Sequence, residues 1–311
     1  MKKALVTGGA GFIGQNLCRK LISQGFSVIS LDSFITSKEA GVSDLKKNKK
    51  FKFIRHDIIK KLPKSLEKEK IDVVFHLACP TGVDNLVRLG EEMLLTSGSG
   101  TRNILEFAKS HRSKVVFTSS SEVYGNPREF PQKETYQGNV SPVGIRSTYE
   151  EGKRYAEALT AFYVRRYGLN ASIARVFNTY GPGMSRNDSR VIPRFMSLSL
   201  AKKDLTVEGK GTQTRTFCYV DDLVDGLILI AKKGKAGEVY NLGSDREIKI
   251  LDLAKKVLIA THSQKKVKFI KRPSHDHDRR LPDLSKIKKL GWKWKVDLDE
   301  GLRRTCEWYG F

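Results

Sequence analysis

Tyr149 and Lys153 stand four residues apart in Tyr149-Glu150-Glu151-Gly152-Lys153, a spacing that puts a phenol and an ammonium on one face of a helix. A phenol ordinarily titrates near 10, and a neighbouring cation favours its ionised form. Lowering that pKa by about 3 units takes about 4 kcal/mol, which Lys153 and a second cation supply together. The product is a base that takes the proton of an alcohol while hydride leaves the same carbon. Ser120, in Ser119-Ser120-Ser121-Glu122-Val123-Tyr124-Gly125, offers a hydroxyl that shares that proton. A YxxxK spacing is common on helices; it gains meaning from this serine run.

The second constellation is Gly8-Gly9-Ala10-Gly11-Phe12-Ile13-Gly14, with Gly8, Gly11 and Gly14 in a GxxGxxG pattern. It lies between a strand-like run and a helical one. Glycine permits the tight turn and the close backbone approach to a pyrophosphate, and the N–H groups of the helix start bind the anion. Asp32 ends the next apolar run. A carboxylate there accepts hydrogen bonds from an adenosine ribose and repels a 2′-phosphate, so NAD is expected over NADP. Nicotinamide in its oxidised form is then the second cation beside Tyr149. Asp57, after the third run, reaches an adenine amino group or caps its own strand.

These groups need a frame that gathers them at one edge. Lys3–Thr7, Ser27–Asp32, Phe51–Asp57, Asp72–Ala78, Lys114–Ser120 and Ala171–Phe177 read as strands. Helical patterns at Phe12–Gln24, Asn85–His111 and Ser147–Tyr167 alternate with them. The alternation predicts an α/β chain, a Rossmann-like doubly wound parallel sheet, with ligands at the carboxyl ends of the strands. After Gly181-Pro182-Gly183 the elements shorten into a smaller mixed α/β C-terminal part, with helices near Asp221–Lys233, Leu251–His262, Leu284–Leu290 and Asp297–Tyr309. We expect residues 1–178 to form the cofactor domain, with 212–235 returning to it, and 179–311 to be mainly a substrate domain.

Composition sets the outer limits. The chain has 311 residues, 39% of them hydrophobic, which suffices for a packed core and excludes global disorder. No apolar run approaches a bilayer span, and the start turns glycine-rich too soon for a signal peptide. A cytoplasmic protein that is not bound to a membrane is expected. Cys18, Cys79, Cys218 and Cys306 form no CxxC pair and read as buried thiols. His275 and His277 lack partner ligands at usable spacing, so no metal is expected. His76 and the three tryptophans, Trp292, Trp294 and Trp308, read as core or interface residues. The net charge is +23, with a dense basic stretch from Lys46 to Lys70. It favours anionic ligands; no nucleic-acid motif accompanies it, and no nucleic-acid partner is expected.

The stretches TGGAGFIG at 7–14, HLA at 76–78, SSSEVYG at 119–125, YEEGK at 149–153 and RVFNTYGP at 175–182 together resemble the extended short-chain dehydrogenase/reductase family of nucleotide-sugar epimerases, dehydratases and decarboxylases. The resemblance runs through RTFCYVDD at 215–222 to the terminal helix. It implies a Rossmann domain holding NAD and a C-terminal domain holding a nucleoside-diphosphate sugar. It implies Ser120, Tyr149 and Lys153 as a catalytic triad, and a cofactor set that includes Phe12, Ile13, Ile58, Leu77 and Ala78 beside the residues named above. It also implies a homodimer through a four-helix bundle from helices near 88–109 and 147–167.

Members of this family begin by oxidising the sugar at C4. Epimerases usually carry no carboxylate before VYG, whereas this chain has Glu122. The dTDP-glucose dehydratases carry an acid where Ser121 stands. Ser-Glu-Val-Tyr-Gly, Pro142-Val143-Gly144-Ile145-Arg146, Asn187-Asp188-Ser189-Arg190-Val191-Ile192 and Arg280-Leu281-Pro282-Asp283 instead resemble the UDP-glucuronate decarboxylases. That resemblance implies a UDP-sugar substrate held by Ser121, Glu122, Asn178, Arg190, Arg215 and Arg280, with Arg280 facing the substrate carboxylate and Glu122 counted with the catalytic residues. A 4-ketone is β to the C5 carboxylate, so CO2 leaves and the ketone is reduced again. Two stretches depart from the pattern: Cys79-Pro80-Thr81-Gly82 follows HLA, and Thr96-Ser97-Gly98-Ser99-Gly100 lacks an Asn. A 4-epimerase, a GDP-mannose-type 4,6-dehydratase and a non-catalytic basic binding protein remain the alternatives.

Overall fold

The computed structural model describes residues 2–273 and 277–310. Its first half runs β1 (Lys3–Thr7), α1 (Phe12–Ser23), β2 (Ser27–Asp32), β3 (Phe51–Arg55), β4 (Val73–His76), α2 (Asn85–Arg88), α3 (Gly90–Leu95), α4 (Thr101–Ser110), β5 (Lys114–Ser120), α5 (Ser147–Tyr167) and β6 (Ala171–Val176). The second half runs β7 (Thr179–Tyr180), α6 (Val191–Leu200), β8 (Leu205–Glu208), β9 (Thr214–Thr216), β10 (Cys218–Tyr219), α7 (Val220–Lys233), β11 (Val239–Leu242), β12 (Glu247–Lys249), α8 (Ile250–Ala260), β13 (Val267–Ile270), α9 (Ser285–Lys289) and α10 (Leu298–Tyr309).

Seven strands form one parallel sheet in the order β11-β6-β5-β4-β1-β2-β3. The reversal between β1 and β4 is the switch point of a doubly wound sheet, where the crevice for ligands opens. Continuous apolar runs suit strands covered on both faces. Ala4 and Val6 pack with Leu17, Cys18 and Leu21 of α1 and with Val224 and Leu227 of α7. Leu5, between them, packs on the opposite face with Ile104 and Leu105 of α4.

The segment that returns to the sheet is longer than 212–235, because β11 pairs with β6 at its edge. β9, by contrast, pairs antiparallel with β12 in the smaller part. That part has its own core, in which Phe195 and Met196 of α6, Leu253 and Val257 of α8, and Leu302 and Cys306 of α10 meet.

The helix expected over Asn85–His111 is broken into α2, α3, a π-helical turn at Thr96–Gly100, and α4. Glycine and serine weaken a regular helix there. Gly100 also comes close to Ile58, where a Cβ would lie 2.9 Å from the Ile58 side chain. Trp292 is buried in the core, whereas Trp308 is 46% exposed.

Candidate active site

Two loops at the carboxyl edge of the sheet gather the expected site residues. In the first, Gly8 has φ +69, and a Cβ on Gly14 would lie 2.1 Å from the Gly8 carbonyl oxygen, so neither position admits a side chain. Gly11 caps α1 in extended conformation, with no side-chain cap and no acid in the first turn, so the Phe12 and Ile13 end of the helix keeps its positive pole open. Asp32 closes β2 and accepts from the backbone N–H groups of Ala10 (2.9 Å) and Phe34 (2.9 Å) and from Ser37 Oγ (2.7 Å). An uncapped helix start beside a fixed carboxylate fits a pyrophosphate with a ribose. Leu77 and Ala78 donate their N–H groups to Thr7 Oγ1 across the switch point, each at 3.2 Å. Asp57 accepts from Ile59 N–H at 3.0 Å, and Ile58 is buried among Leu31, Leu66 and Ile104.

The second loop follows β5. Ser120 ends the strand, and its Oγ accepts from Glu122 N–H at 3.2 Å, which turns the chain into a 3-10 turn over Ser121–Tyr124. Facing it, α5 presents Tyr149 and Lys153. The Lys153 ammonium donates to the Thr118 carbonyl at 2.9 Å and stands 5.9 Å from the Tyr149 ring centre. Burial pushes the Tyr149 phenol above its ordinary value, with the nearby Cys79 adding to this; hydrogen bonding to Ser120 and the Arg190 charge act in the opposite sense. Burial thus outweighs the acidifying influences on the phenol, against the lowered value expected from the Tyr149–Lys153 spacing. Burial also lowers the Lys153 pKa.

Glu122 is the hub of a charge network. Burial raises its pKa, but the Arg280 and Arg146 guanidiniums, with His277 behind them, bring it down to about 2. Arg280 donates to Glu122 Oε2 at 3.0 Å and to the Ser121 carbonyl at 2.6 Å, and its side chain is 3% exposed. Arg146 pairs with Glu122 and, one helical turn along, with Glu150 Oε1 at 2.9 Å. His277 Nε2 is buried, makes no hydrogen bond and stands 3.8 Å from that same Glu150 oxygen. Glu122, Glu150 and His277 all lie within 4.8 Å of one another. The two guanidiniums already neutralise the carboxylates, so these three groups form an ion-pair network and not a cation cage. His275 lies outside the described residues.

The remaining expected substrate residues line the approach from the smaller part. Asn178 Nδ2 donates to the Thr216 carbonyl at 3.3 Å. Arg190, ahead of α6, is paired with Asp188 and its charge reaches Tyr149. Arg215 on β9 donates to the His277 carbonyl at 2.6 Å. Of the cysteines, Cys18, Cys218 and Cys306 are buried as expected; Cys79 is only half-buried and stands in the catalytic crevice, 3.8 Å from Ser97 Oγ. His76 is a satisfied core residue, bonded to Thr7 Oγ1 at 2.8 Å and Thr101 Oγ1 at 3.0 Å, and burial brings its pKa down to about 3.

Arg146, Glu150 and His277 were not among the expected site residues. The Arg146–Glu150 spacing of four on α5 was a local signal for one pair. Nothing local announced that Glu122 and His277, 155 positions apart, would meet it.

This fold and crevice define an NAD-type short-chain dehydrogenase architecture, and comparison with known proteins places the chain within it. Residues 5–305 match the family model described as GDP-mannose 4,6 dehydratase, and the chain belongs to that family. Among curated relatives, UDP-glucuronic acid decarboxylase 1 of Arabidopsis thaliana is 43% identical over 97% of this chain and 68% of its own length. UDP-glucuronic acid decarboxylase 1 of Xenopus tropicalis is 38% identical over 99% of this chain and 72% of its own. Among solved structures, UDP-glucose 4-epimerase of Thermotoga maritima superposes with a TM-score of 0.91 at 30% identity, covering 99% of this chain and 98% of its own. A dTDP-glucose 4,6-dehydratase of Streptomyces venezuelae, solved with NAD bound, gives 0.89 at 28% identity, covering 99% of this chain and 96% of its own.

Proposed function

We propose that this chain is an NAD-dependent UDP-glucuronate decarboxylase that forms UDP-xylose. The observation that carries the reading is the buried Arg280 guanidinium, held by Ser121 and Glu122 at the turn that follows Ser120. A guanidinium in that place suits a carboxylate, and a neutral hexose would bring it none. The relatives named UDP-glucuronic acid decarboxylases, which match nearly the whole chain, support the same reading.

Gly8, Gly11, Phe12, Ile13 and Gly14 hold the pyrophosphate, and Asp32 the adenosine ribose, with Asp57, Ile58, Leu77 and Ala78 along the rest of the cofactor. NAD held there would supply a reversible hydride acceptor for C4. Tyr149, on which Ser120 has an acidifying influence, takes the proton of the C4 hydroxyl and later gives it back. Lys153, fixed on Thr118, keeps a positive charge beside the phenol. Glu122 and Arg280 orient the C5 carboxylate. The bond from C5 to that carboxylate breaks once C4 is a ketone: CO2 leaves, the bonding electrons form an enolate across C4 and C5, and a solvent proton added at C5 restores the 4-ketone that is then reduced. Arg190, Arg215 and Asn178 hold the nucleotide end.

We further place the protein in the cytoplasm, where its four free thiols stay reduced. No described helix is long and apolar enough to cross a membrane. A homodimer is supported by the exposed Leu94, Leu95, Tyr155 and Phe162 on the α3 and α5 helices.

The test is incubation of the NAD-loaded protein with UDP-glucuronate under mass spectrometry. Loss of the mass of CO2 supports the reading. An unchanged mass refutes decarboxylation, and loss of one water from a nucleotide hexose, with UDP-glucuronate untouched, would favour a dehydratase.

A further inference from the structure

Three buried polar side chains join the two segments that meet at Glu122 and Arg280. Tyr124 ends the turn that carries Glu122, Gln132 lies between that turn and α5, and Asn241 lies on β11. The Tyr124 hydroxyl donates to Asn241 Oδ1 at 2.7 Å and accepts from the Arg175 guanidinium at 3.0 Å. Arg175, on β6, is fixed in turn by a two-pronged pair with Glu157 of α5, at 2.9 and 2.7 Å. The Asn241 amide nitrogen donates to the carbonyls of Gln132 at 2.8 Å and Asp283 at 3.1 Å.

Gln132 grips the residues on either side of Pro282. Its N–H donates to the Leu281 carbonyl at 2.7 Å, and its carbonyl accepts from the Asp283 N–H at 2.9 Å. Its Oε1 accepts from the Leu281 N–H at 2.8 Å. Leu281 follows Arg280 directly, and Tyr124 stands two residues after Glu122. The backbone on each side of the Glu122–Arg280 pair is therefore tied to the Asn241 amide. Breaking one of these bonds leaves a buried polar group unpaired, so the set holds its geometry as a unit. A guanidinium meets a carboxylate through two parallel bonds only at one spacing and angle, so the placement of Arg280 matters as well as its charge.

We propose that Asn241 is a positioning residue for recognition of the substrate carboxylate: it holds the Arg280 segment and the Glu122 turn at one spacing, so that the guanidinium is already placed when a hexuronate arrives. This rests on the decarboxylase reading above. Asn241 touches no reacting atom in this account and acts through Arg280. An amide suits the task because it donates to the carbonyls of one segment and accepts from the hydroxyl of the other.

The experiment measures dissociation constants by calorimetry in the NAD-loaded Tyr149→Phe protein, in which binding is not followed by turnover. Asn241→Ala in that background should weaken UDP-glucuronate about ten- to a hundredfold. UDP-glucose, which has no carboxylate for Arg280 to meet, should change by less than about twofold, a split that a general loss of structure would not produce. Gln132→Met removes the side-chain acceptor of the Leu281 N–H and is the second variant should Asn241→Ala not fold. It should weaken UDP-glucuronate about threefold or more and again spare UDP-glucose. In Arg280→Met no guanidinium is left to place, so adding Asn241→Ala there should change UDP-glucuronate affinity by less than about twofold. Equal losses for both sugars, no loss for UDP-glucuronate, or a full further loss on top of Arg280→Met overturns the proposal. Failure of the unaltered enzyme to release CO2 from UDP-glucuronate refutes the function itself, which the comparison of the two sugars does not address. UDP-glucuronate affinity left unchanged by Arg280→Met alone refutes both the proposal and the place given to the carboxylate.

Discussion

The Lys153 ammonium donates to the carbonyl of Thr118 at 2.9 Å, tying the helix that carries the phenol to the strand that carries Ser120. One buried contact thereby sets the position of the charge beside Tyr149 and the register of α5 on β5.

Tyr149→Phe removes the only phenolic proton acceptor proposed here and leaves the ring. It should lower kcat by about a hundred- to ten-thousand-fold, with NAD binding retained. Steady-state turnover and cofactor titration check both parts.

Arg146 joins two carboxylates, and its loss leaves both Glu122 and Glu150 short of a partner. Arg146→Met should cost about 3 kcal/mol of stability, read as a lowered urea midpoint. Arg146→Lys keeps the charge but not the fork, and should recover only part of the loss.

Glu122 has a depressed pKa in the folded chain, about 2, because Arg280 and Arg146 outweigh its burial. The ordinary glutamate value near 4.3 describes the unfolded chain. Its contribution to stability is therefore complete above about pH 4.3 and is lost as pH falls towards 2. Urea unfolding followed from pH 5 downwards should steepen in that window, and Glu122→Gln should remove that share of the slope.

Asp32 sits where a 2′-phosphate would meet a carboxylate. Asp32→Ser should weaken NAD and improve NADP relative to it. Dissociation constants for the two cofactors test this directly, and an unchanged preference would place the ribose elsewhere.

Tyr155 and Phe162 are both substantially exposed on α5. Replacing both with Glu should convert a homodimer to monomers, visible by sedimentation. A wild-type protein that sediments as a monomer would rule out the proposed bundle.

The alternating apolar runs made the parallel sheet legible, since strands buried on both faces must be apolar throughout while the helices between them keep a 3.6-residue period. The glycine loop, Asp32, Ser120 and the Tyr149–Lys153 spacing were legible for the same reason: each is a local pattern that a neighbouring element explains. The break in the 85–111 helix was partly hidden, because the close approach of Gly100 to Ile58 is a tertiary contact. The pairing of β11 with β6 was hidden entirely, since a four-residue apolar strand carries no mark of its partner.

Local spacing, then, determined which phenol and ammonium would share a helix and where the glycine turn would fall. Only the folded chain decided that Glu122, Arg146, Glu150, His277 and Arg280, drawn from three distant segments, would share one buried network. Coulomb interactions act through space and burial strengthens them, so the charge state of that crevice belongs to the tertiary structure and is written in no single stretch of sequence.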